Sequence, residues 1–145
     1  MEMARIFLID DHPAVRQGLR VLLSQEAHTV CGEAGNIAET MARIDSSNAD
    51  MALLDLSLGD ESGLDLIAGL RQRGIAVLVY SICEESAVIE MALNRGANGY
   101  VSKRETTDIL LAAVTDIRAG KRHLSPRATM GLANRILSNP ALEHT

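Results

Sequence analysis

Residues 6–11 read IFLIDD, four apolar residues followed by two adjacent carboxylates. A second apolar run at residues 51–54 ends in the same way, at Asp55. Short apolar runs are typical of strands that are buried on both faces of a parallel sheet. Because the carboxyl ends of parallel strands open into one crevice, the pattern predicts that Asp10, Asp11 and Asp55 converge there.

These three carboxylates carry like charges. At a separation of ~5 Å and an effective dielectric of about 20, each pair repels by roughly 3 kcal/mol. A hard divalent cation offsets this repulsion, because Mg²⁺ takes oxygen ligands from one or two carboxylates together with water and phosphate. The sequence therefore predicts a magnesium site at Asp10, Asp11 and Asp55.

Apolar runs alternate five times with amphipathic segments, a pattern typical of a βα repeat and an α/β fold. The predicted strands are residues 6–9, 29–31, 51–54, 75–80 and 100–101. The first predicted helix begins at Pro13, and the second begins after Asn36. The third covers residues 62–73, and the fourth ends near Arg95. The fifth begins at Thr106 or Thr107, and the sixth covers residues 126–137. Capping residues and glycine stops set these bounds.

Composition excludes several classes of function. The formal net charge of −5 argues against tight nucleic-acid binding by this chain, and two Tyr and one Phe provide no stacking platform for bases. The apolar run at residues 75–80 is far shorter than the ~20 residues that span a bilayer. Cys31 and Cys83 show no metal-ligand spacing and no disulfide framework, which favours a reducing cytoplasm.

Two further polar residues follow predicted strands. Ser81 comes directly after the fourth strand, and Lys103 comes shortly after the fifth. We expect both to face the same crevice as the acids. A purely structural ion-pair cluster is a poor explanation of the set, because burying these charges without a metal or a phosphate is costly.

In these residues the chain resembles the receiver domain of a two-component response regulator, over residues 4 to about 120. The matching stretches are Asp10-Asp11-His12-Pro13, Asp55-Leu56-Ser57-Leu58 with Gly63 eight residues after the acid, Ser81, and Gly96-Ala97-Asn98-Gly99-Tyr100-Val101-Ser102-Lys103. The Asp-Asp-His-Pro opening, the Gly-Tyr-Val-Ser-Lys ending and the tail resemble the branch whose receiver precedes a LuxR-type helix-turn-helix domain.

The resemblance implies a flavodoxin-like (βα)5 fold. This fold is a doubly wound, five-stranded parallel sheet with strand order 2-1-3-4-5, here with an extra C-terminal helix. Residues 1–120 would form the receiver domain. Residues 121–145 would form a linker that contains the helix at 126–137 and a disordered end.

The resemblance also implies a role for each site residue. Asp55 would be the phosphoacceptor and nucleophile, and Lys103 and Ser81 would bind phosphoryl oxygens. Asp11, Asp55 and the backbone carbonyl of Ser57 would bind Mg²⁺ directly, while Asp10 would act mostly through water. Ser81 and Tyr100 would form the switch that changes the surface of the fourth helix, fifth strand and fifth helix.

Partners follow from the same resemblance. A sensor histidine kinase would donate the phosphoryl group, and phosphorylation would promote a homodimer. The residues after Arg122 are too few for a reader of the DNA major groove, so DNA would be bound only through an output domain outside this chain. The chain would not be an enzyme beyond catalysing its own phosphorylation and dephosphorylation, and it would be cytoplasmic.

Three alternative functions are compatible with parts of this pattern. A stand-alone receiver that acts by protein–protein contact is the nearest. A flavodoxin-like cofactor binder needs a phosphate loop rich in hydroxyls and glycines, and Asp10-Asp11 would repel phosphate. A phosphatase of the haloacid dehalogenase type would also use an aspartyl nucleophile, but its two acids lie two residues apart, not side by side.

The chain departs from the family pattern at several positions. Gly59 stands where receivers usually have a proline, which predicts a more flexible loop, and Arg104 stands where many have a cis-proline. The bulky Ile82 could shield the phosphoryl group from water, which predicts slow autodephosphorylation. We interpret His12 as a capping or surface residue, and residues 121–123 as a solvated basic cluster at a helix end.

Overall fold

The computed structural model describes residues 3–138, and for residues 135–138 it describes the backbone alone. The strands are β1 (Arg5–Ile9), β2 (Thr29–Ala34), β3 (Met51–Leu54), β4 (Ser57–Leu58), β5 (Glu61–Ser62), β6 (Ala76–Ser81), β7 (Gly99–Ser102) and β8 (His123–Leu124). The helices are α1 (Pro13–Gln25), α2 (Ile37–Ser47), α3 (Leu64–Gln72), α4 (Ser86–Asn94), α5 (Thr107–Arg118) and α6 (Pro126–Ser138).

The main sheet is parallel and has the order β2-β1-β3-β6-β7-β8. The strands β6 and β7 correspond to the fourth and fifth predicted strands, so the first five strands of the sheet reproduce the predicted order 2-1-3-4-5. The predicted α/β receiver fold is confirmed. The number of strands in the prediction was wrong, because β8 adds a sixth strand beside β7. A two-residue strand has too few residues to produce a periodic signal in the sequence.

Alternate residues of each strand enter two separate cores. Ile6, Leu8 and Leu53 pack with α1 and α5 on one face of the sheet. Phe7 and Leu54 pack on the other face, together with residues of α2, α3, α4 and α6. Each such buried aliphatic side chain stabilises the fold by about 1.5–3 kcal/mol relative to exposure. Both faces are therefore covered, and the strand ends remain as the open crevice.

Helix α3 begins two residues later than predicted. The predicted helix over 62–73 starts at Leu64, because β4 and β5 form a small antiparallel hairpin before it. The hairpin turns at Gly59, whose φ is +63°, a conformation that favours glycine. Two other elements extend past their predicted C-terminal ends: β2 was predicted over 29–31 and continues to Ala34, and α6 was predicted over 126–137 and continues to Ser138.

No helix within residues 3–138 is both long enough and apolar enough to cross a membrane. The disordered end predicted for the chain lies outside the described residues.

Candidate functional site

Three charged residues of the site, Asp10, Asp55 and Lys103, are each positioned by a backbone hydrogen bond that continues the sheet. The backbone N–H of Asp10 donates to Ala34 O at 3.1 Å, and that of Asp55 donates to Ile9 O at 2.8 Å. The N–H of Lys103 donates to the carbonyl of Ser81 at 2.8 Å. The sheet thus fixes the backbone of all three charged residues at the same edge.

Lys103 joins the two buried acids. Its Nζ donates to Asp10 Oδ2 at 2.8 Å and to Asp55 Oδ2 at 3.1 Å. The exposed fraction is 3% for Asp10 and 5% for Asp55, so these charges interact with little solvent screening. The ammonium is the counter-ion that permits two carboxylates to share this edge.

Burial and charge pairing oppose each other in the pKa values of the pair. Burial raises the pKa of Asp55, Lys103 lowers it and Asp10 raises it, and the net pKa lies above the ordinary value. Burial lowers the pKa of Lys103, but its bonds to Asp10 and Asp55 outweigh this and leave the pKa raised. The lysine therefore stays charged at neutral pH, and it favours the ionised form of Asp55.

Asp11 lies beside this pair and is held from the β4–β5 hairpin. Its Oδ2 accepts a hydrogen bond from the N–H of Gly59 at 3.0 Å. Its Oδ1 is buried and accepts no well-formed hydrogen bond from the described residues, although His12 Nδ1 lies 2.9 Å away. The loop that was expected to be more flexible at Gly59 thus makes a direct contact with the site.

The donor set fits a hard divalent cation. Asp10, Asp11, His12 and Asp55 each offer one ligand atom, and these atoms lie within 4.8 Å of one another. Three of the four are carboxylates, the ligand type that Mg²⁺ prefers, and Oδ1 of Asp11 accepts no well-formed hydrogen bond from the described residues. The acidic pocket predicted from the sequence is present and could hold a metal.

His12 was not recognised as part of this group. It occupies the position before α1 and its side chain is 63% exposed, but it makes no side-chain capping bond. Instead its Nδ1 lies 3.1 Å from Asp10 Oδ1 and 2.9 Å from Asp11 Oδ1. The signal available in the sequence was its place directly after two strand-end acids.

The loop after Asp55 turns back against the end of β3. The N–H of Ser57 donates to Asp55 Oδ1 at 3.3 Å, and that of Gly63 donates to Leu56 O at 2.8 Å. A Cβ on Gly63 would lie 2.2 Å from the carbonyl oxygen of Asp55, a separation that no side chain tolerates. Glycine at 63 is therefore a steric requirement of this turn.

Ser81 and Tyr100 meet at the β6–α4 loop. Ser81 is 1% exposed at the end of β6, and its Oγ accepts a hydrogen bond from the N–H of Cys83 at 3.1 Å. Tyr100 is fully buried, and its hydroxyl donates to the carbonyl of Cys83 at 2.6 Å. Burial raises the pKa of Tyr100, so the phenol remains a donor. The two residues predicted to form the switch are in contact with the same peptide segment.

Ile82 lies at the rim of the crevice. Its side chain is 70% exposed and borders a shallow depression of about 470 Å³. The other residues that line the depression are Ser57, Cys83, Glu84, Glu85 and Arg104.

The basic cluster predicted at residues 121–123 was only partly correct. Lys121 and Arg122 are exposed, but His123 lies in β8 and its side chain is 16% exposed. Its Nδ1 lies 2.9 Å from Asp116 Oδ2, so the ring is held against α5. The interpretation as a solvated cluster was wrong for His123 because its backbone is part of the sheet.

A family model described as the response regulator receiver domain matches residues 6–115. The chain belongs to this family. It is 38% identical over 132 residues to the transcriptional regulatory protein UhpA of Salmonella typhimurium, covering 90% of this chain and 67% of that protein. It is 36% identical over 143 residues to the nitrate/nitrite response regulator NarL of Escherichia coli, covering 97% and 66% respectively.

A solved structure with a similar fold is the LuxR-family two-component response regulator of Aurantimonas sp. SI85-9A1. The TM-score is 0.88 and the identity 31%, and the match covers 94% of this chain and 100% of that chain. The predicted receiver fold and the LuxR-type branch are therefore confirmed. Phosphorylation-activated signalling in two-component systems is the function of this family. The chain spans about two thirds of the length of the two curated relatives.

Proposed function

We propose that Asp55 accepts a phosphoryl group from the phosphohistidine of a sensor histidine kinase. The observation that carries the proposal is the position of Lys103 Nζ, 2.8 Å from Asp10 and 3.1 Å from Asp55. An ammonium between two acids at the open end of a sheet neutralises their charge at rest, and it lies within reach of any anion that forms on Asp55.

The chemistry is an in-line phosphoryl transfer. A carboxylate oxygen of Asp55 attacks phosphorus, the bond from phosphorus to the kinase imidazole nitrogen breaks, and the leaving imidazole takes up a proton. Lys103 then pairs with a phosphoryl oxygen, and the hydroxyl of Ser81 donates to another. Transfers of this kind depend mainly on positioning and charge stabilisation, which this set of groups supplies.

Mg²⁺ is the proposed cofactor. Asp11, Asp55 and the backbone carbonyl of Ser57 would hold it, and Asp10 would contribute through water. The ion supplies charge neutralisation for the phosphoryl oxygens as they approach Asp55. The buried Oδ1 of Asp11 supports this assignment, because it accepts no well-formed hydrogen bond from the described residues and a cation stabilises such a carboxylate oxygen.

The proposed output is a change at the surface formed by α4, β7 and α5, transmitted by Ser81 and Tyr100. That surface would control a LuxR-type DNA-binding domain, reached through residues 121–145, and phosphorylation would promote a homodimer. The support is that UhpA is named a transcriptional regulatory protein and is longer than this chain. The chain changes only its own phosphorylation state, and it acts in the cytoplasm.

Intact-mass spectrometry after incubation with acetyl phosphate and Mg²⁺ tests the proposal. We expect one added phosphoryl group on the wild type and none on Asp55→Asn. Asp60→Asn, which removes an exposed carboxylate of the same loop, is the matched control and accepts the group normally. Incorporation into Asp55→Asn contradicts the proposal, and multiple-turnover release of phosphate from many substrates favours a phosphatase.

Sedimentation velocity tests the proposed dimer. We expect the sedimentation coefficient to rise when beryllofluoride and Mg²⁺ are added to the wild type, and to stay constant for Asp55→Asn. An unchanged coefficient for the wild type at high protein concentration would exclude phosphorylation-linked self-association of this chain.

A further inference from the structure

Helix α6 contacts the loop that carries Ser81. A Cβ added to Gly131 would lie 2.3 Å from the carbonyl oxygen of Glu84 and 3.3 Å from Ile89 Cδ1. The backbone of α6 therefore touches a carbonyl only three residues after Ser81. Ala128, one turn earlier on α6, is fully buried in the same core cluster as Ile89 and Tyr100.

Polar contacts also hold the start of α6 against the loop that carries Ser81 and against the end of β7. Glu84 Oε2 accepts hydrogen bonds from Arg127 Nε at 2.7 Å and from Ser102 Oγ at 2.5 Å. The N–H of Arg127 donates to Glu105 Oε2 at 2.8 Å, and Ser125 Oγ accepts from the N–H of Ser102 at 3.3 Å. Bonds to Arg127 and Ser102 lower the pKa of Glu84, so it is ionised at neutral pH. We call the Glu84–Arg127 pair the latch.

The opposite side of this loop is held by the phosphoacceptor crevice. Tyr100 binds the carbonyl of Cys83 from the core, and the N–H of Cys83 binds Ser81 Oγ. The peptide segment between Ser81 and Glu84 is thus held by the crevice on one side and by α6 on the other. Ser81 Oγ acts as an acceptor in this turn, and a hydroxyl that accepts a bond can still rotate its hydrogen towards an anion, so Ser81 can donate to an anion that forms on Asp55.

We propose that docking of α6 and occupation of the phosphoryl site are positively coupled through residues 81–84. Docked α6 holds the loop in the arrangement in which Ser81 can donate to a phosphoryl oxygen, so binding at either place strengthens the other. Coupling of this kind is reciprocal by thermodynamic linkage. The inference rests on the proposed function and adds to it the route by which Asp55 reaches the C-terminal segment.

Gly131→Ala in the full 145-residue chain is the principal test. The added methyl group is placed against the carbonyl of Glu84 and should displace α6. Gly18→Ala is the matched control: it makes the same change within a helix, and its Cβ would meet nothing within 4 Å. Arg127→Gln is a second test variant that opens the latch without altering the packing of Gly131.

The first measurement is the affinity for beryllofluoride at saturating Mg²⁺, by titration calorimetry. We expect Gly131→Ala and Arg127→Gln to weaken binding about five- to tenfold, within the usual range of coupling between sites, while Gly18→Ala binds like the wild type. The second measurement is hydrogen exchange of the α6 amides. We expect beryllofluoride to slow exchange in the wild type and to have less effect in the two test variants.

The outcomes separate the two proposals. If the wild type binds beryllofluoride and both folded test variants bind it with the same affinity, the proposed coupling is overturned. Tighter beryllofluoride binding by either variant would show that α6 opposes phosphorylation, and this result also overturns the proposed positive coupling. A wild type that binds no beryllofluoride, like Asp55→Asn, overturns the proposed function itself. Thermal melts identify a variant that has not folded, and the beryllofluoride affinity of the other test variant then decides whether the coupling exists.

Discussion

The backbone N–H of Gly59 donates a hydrogen bond to Asp11 Oδ2 at 3.0 Å. Receivers usually have a proline at this position, and a proline has no N–H to donate. The hairpin of this chain therefore positions Asp11, an acid of the proposed metal site, by a contact that the usual sequence cannot make.

We expect Gly59→Pro to weaken Mg²⁺ binding about tenfold or more. Proline removes a hydrogen bond to a charged group, which contributes about 1.5–3 kcal/mol, and it cannot adopt the φ of +63° at this position, so the hairpin must also change its conformation. Titration calorimetry measures this. Gly59→Ala keeps the N–H and can adopt a φ of +63° at a cost of roughly 1 kcal/mol of stability, so its Mg²⁺ affinity should remain close to wild type. Equal Mg²⁺ affinities for Gly59→Pro and the wild type would contradict the role given to this bond.

The close approach of Gly63 to the carbonyl of Asp55 predicts a steric penalty. Gly63→Ala should lower the free energy of unfolding by about 2 kcal/mol or more and slow phosphorylation, because the strand end must move to accept a methyl group. Gly69→Ala is the control on the same helix, since its nearest neighbour is the flexible Arg73 side chain at 3.5 Å. Urea unfolding should show Gly69→Ala to be neutral or slightly stabilising. Similar losses in both variants would show that the effect is not specific to the Asp55 contact.

Lys103→Met should leave Asp10 and Asp55 without their counter-ion. We expect the free energy of unfolding at pH 8 without metal to fall by about 2 kcal/mol relative to wild type, since uncompensated buried charges are strongly destabilising. Lys121→Met, at an exposed lysine, should have no effect.

The difference between Lys103→Met and wild type should shrink as the pH falls from 8 towards 5. Without Lys103 the pKa of Asp55 rises further above its unfolded value, so the folded variant takes up a proton first and is stabilised as the pH falls. A difference that is constant over this range would argue against the pairing as its cause.

Ile82→Ala tests whether the bulky side chain at the rim shields the phosphoryl group. We expect the phosphorylated protein to lose its phosphoryl group several-fold faster than wild type after the donor is removed, because water gains access to Asp55. Val21→Ala removes another exposed aliphatic group, on α1 and far from the crevice, and should leave the lifetime unchanged. A wild-type lifetime of seconds that Ile82→Ala does not shorten refutes the hypothesis.

His28 predicts an acid-sensitive fold. The residue is 7% exposed and its Nδ1 accepts the N–H of Ala4 at 3.0 Å, so that nitrogen carries no proton in the folded state. Burial lowers the pKa of His28 below its ordinary value of 6.5, and Glu26 only partly counters this. The unfolded chain therefore binds a proton first, and stability should fall as the pH drops through about 6.5. His28→Asn keeps an acceptor but cannot titrate, so its unfolding free energy should vary less between pH 7.5 and 5.5 than that of wild type.

The sequence predicted the acids of the site because their signal is local. Asp10 and Asp55 each end an apolar run, and the geometry of a parallel sheet then brings them together. The contact of His12 with these acids depends on the rotation of one ring, and no periodicity encodes that. The approaches of Gly63 to Asp55 and of Gly131 to Glu84 were also missed, since a glycine in a sequence indicates a turn or a gap but does not name the atom that fills it.

Strand β8 covers the edge of the main sheet at β7. The backbone N–H groups of His123 and Ser125 donate to the carbonyls of Asn98 and Tyr100 at 3.2 Å and 3.0 Å. A fragment cut after Gly120, at the boundary predicted from the sequence, would expose those carbonyls along the margin of β7, and bare strand margins recruit strands from other molecules. Expression plasmids for this receiver should therefore extend through Ser138 if the product is to stay monodisperse.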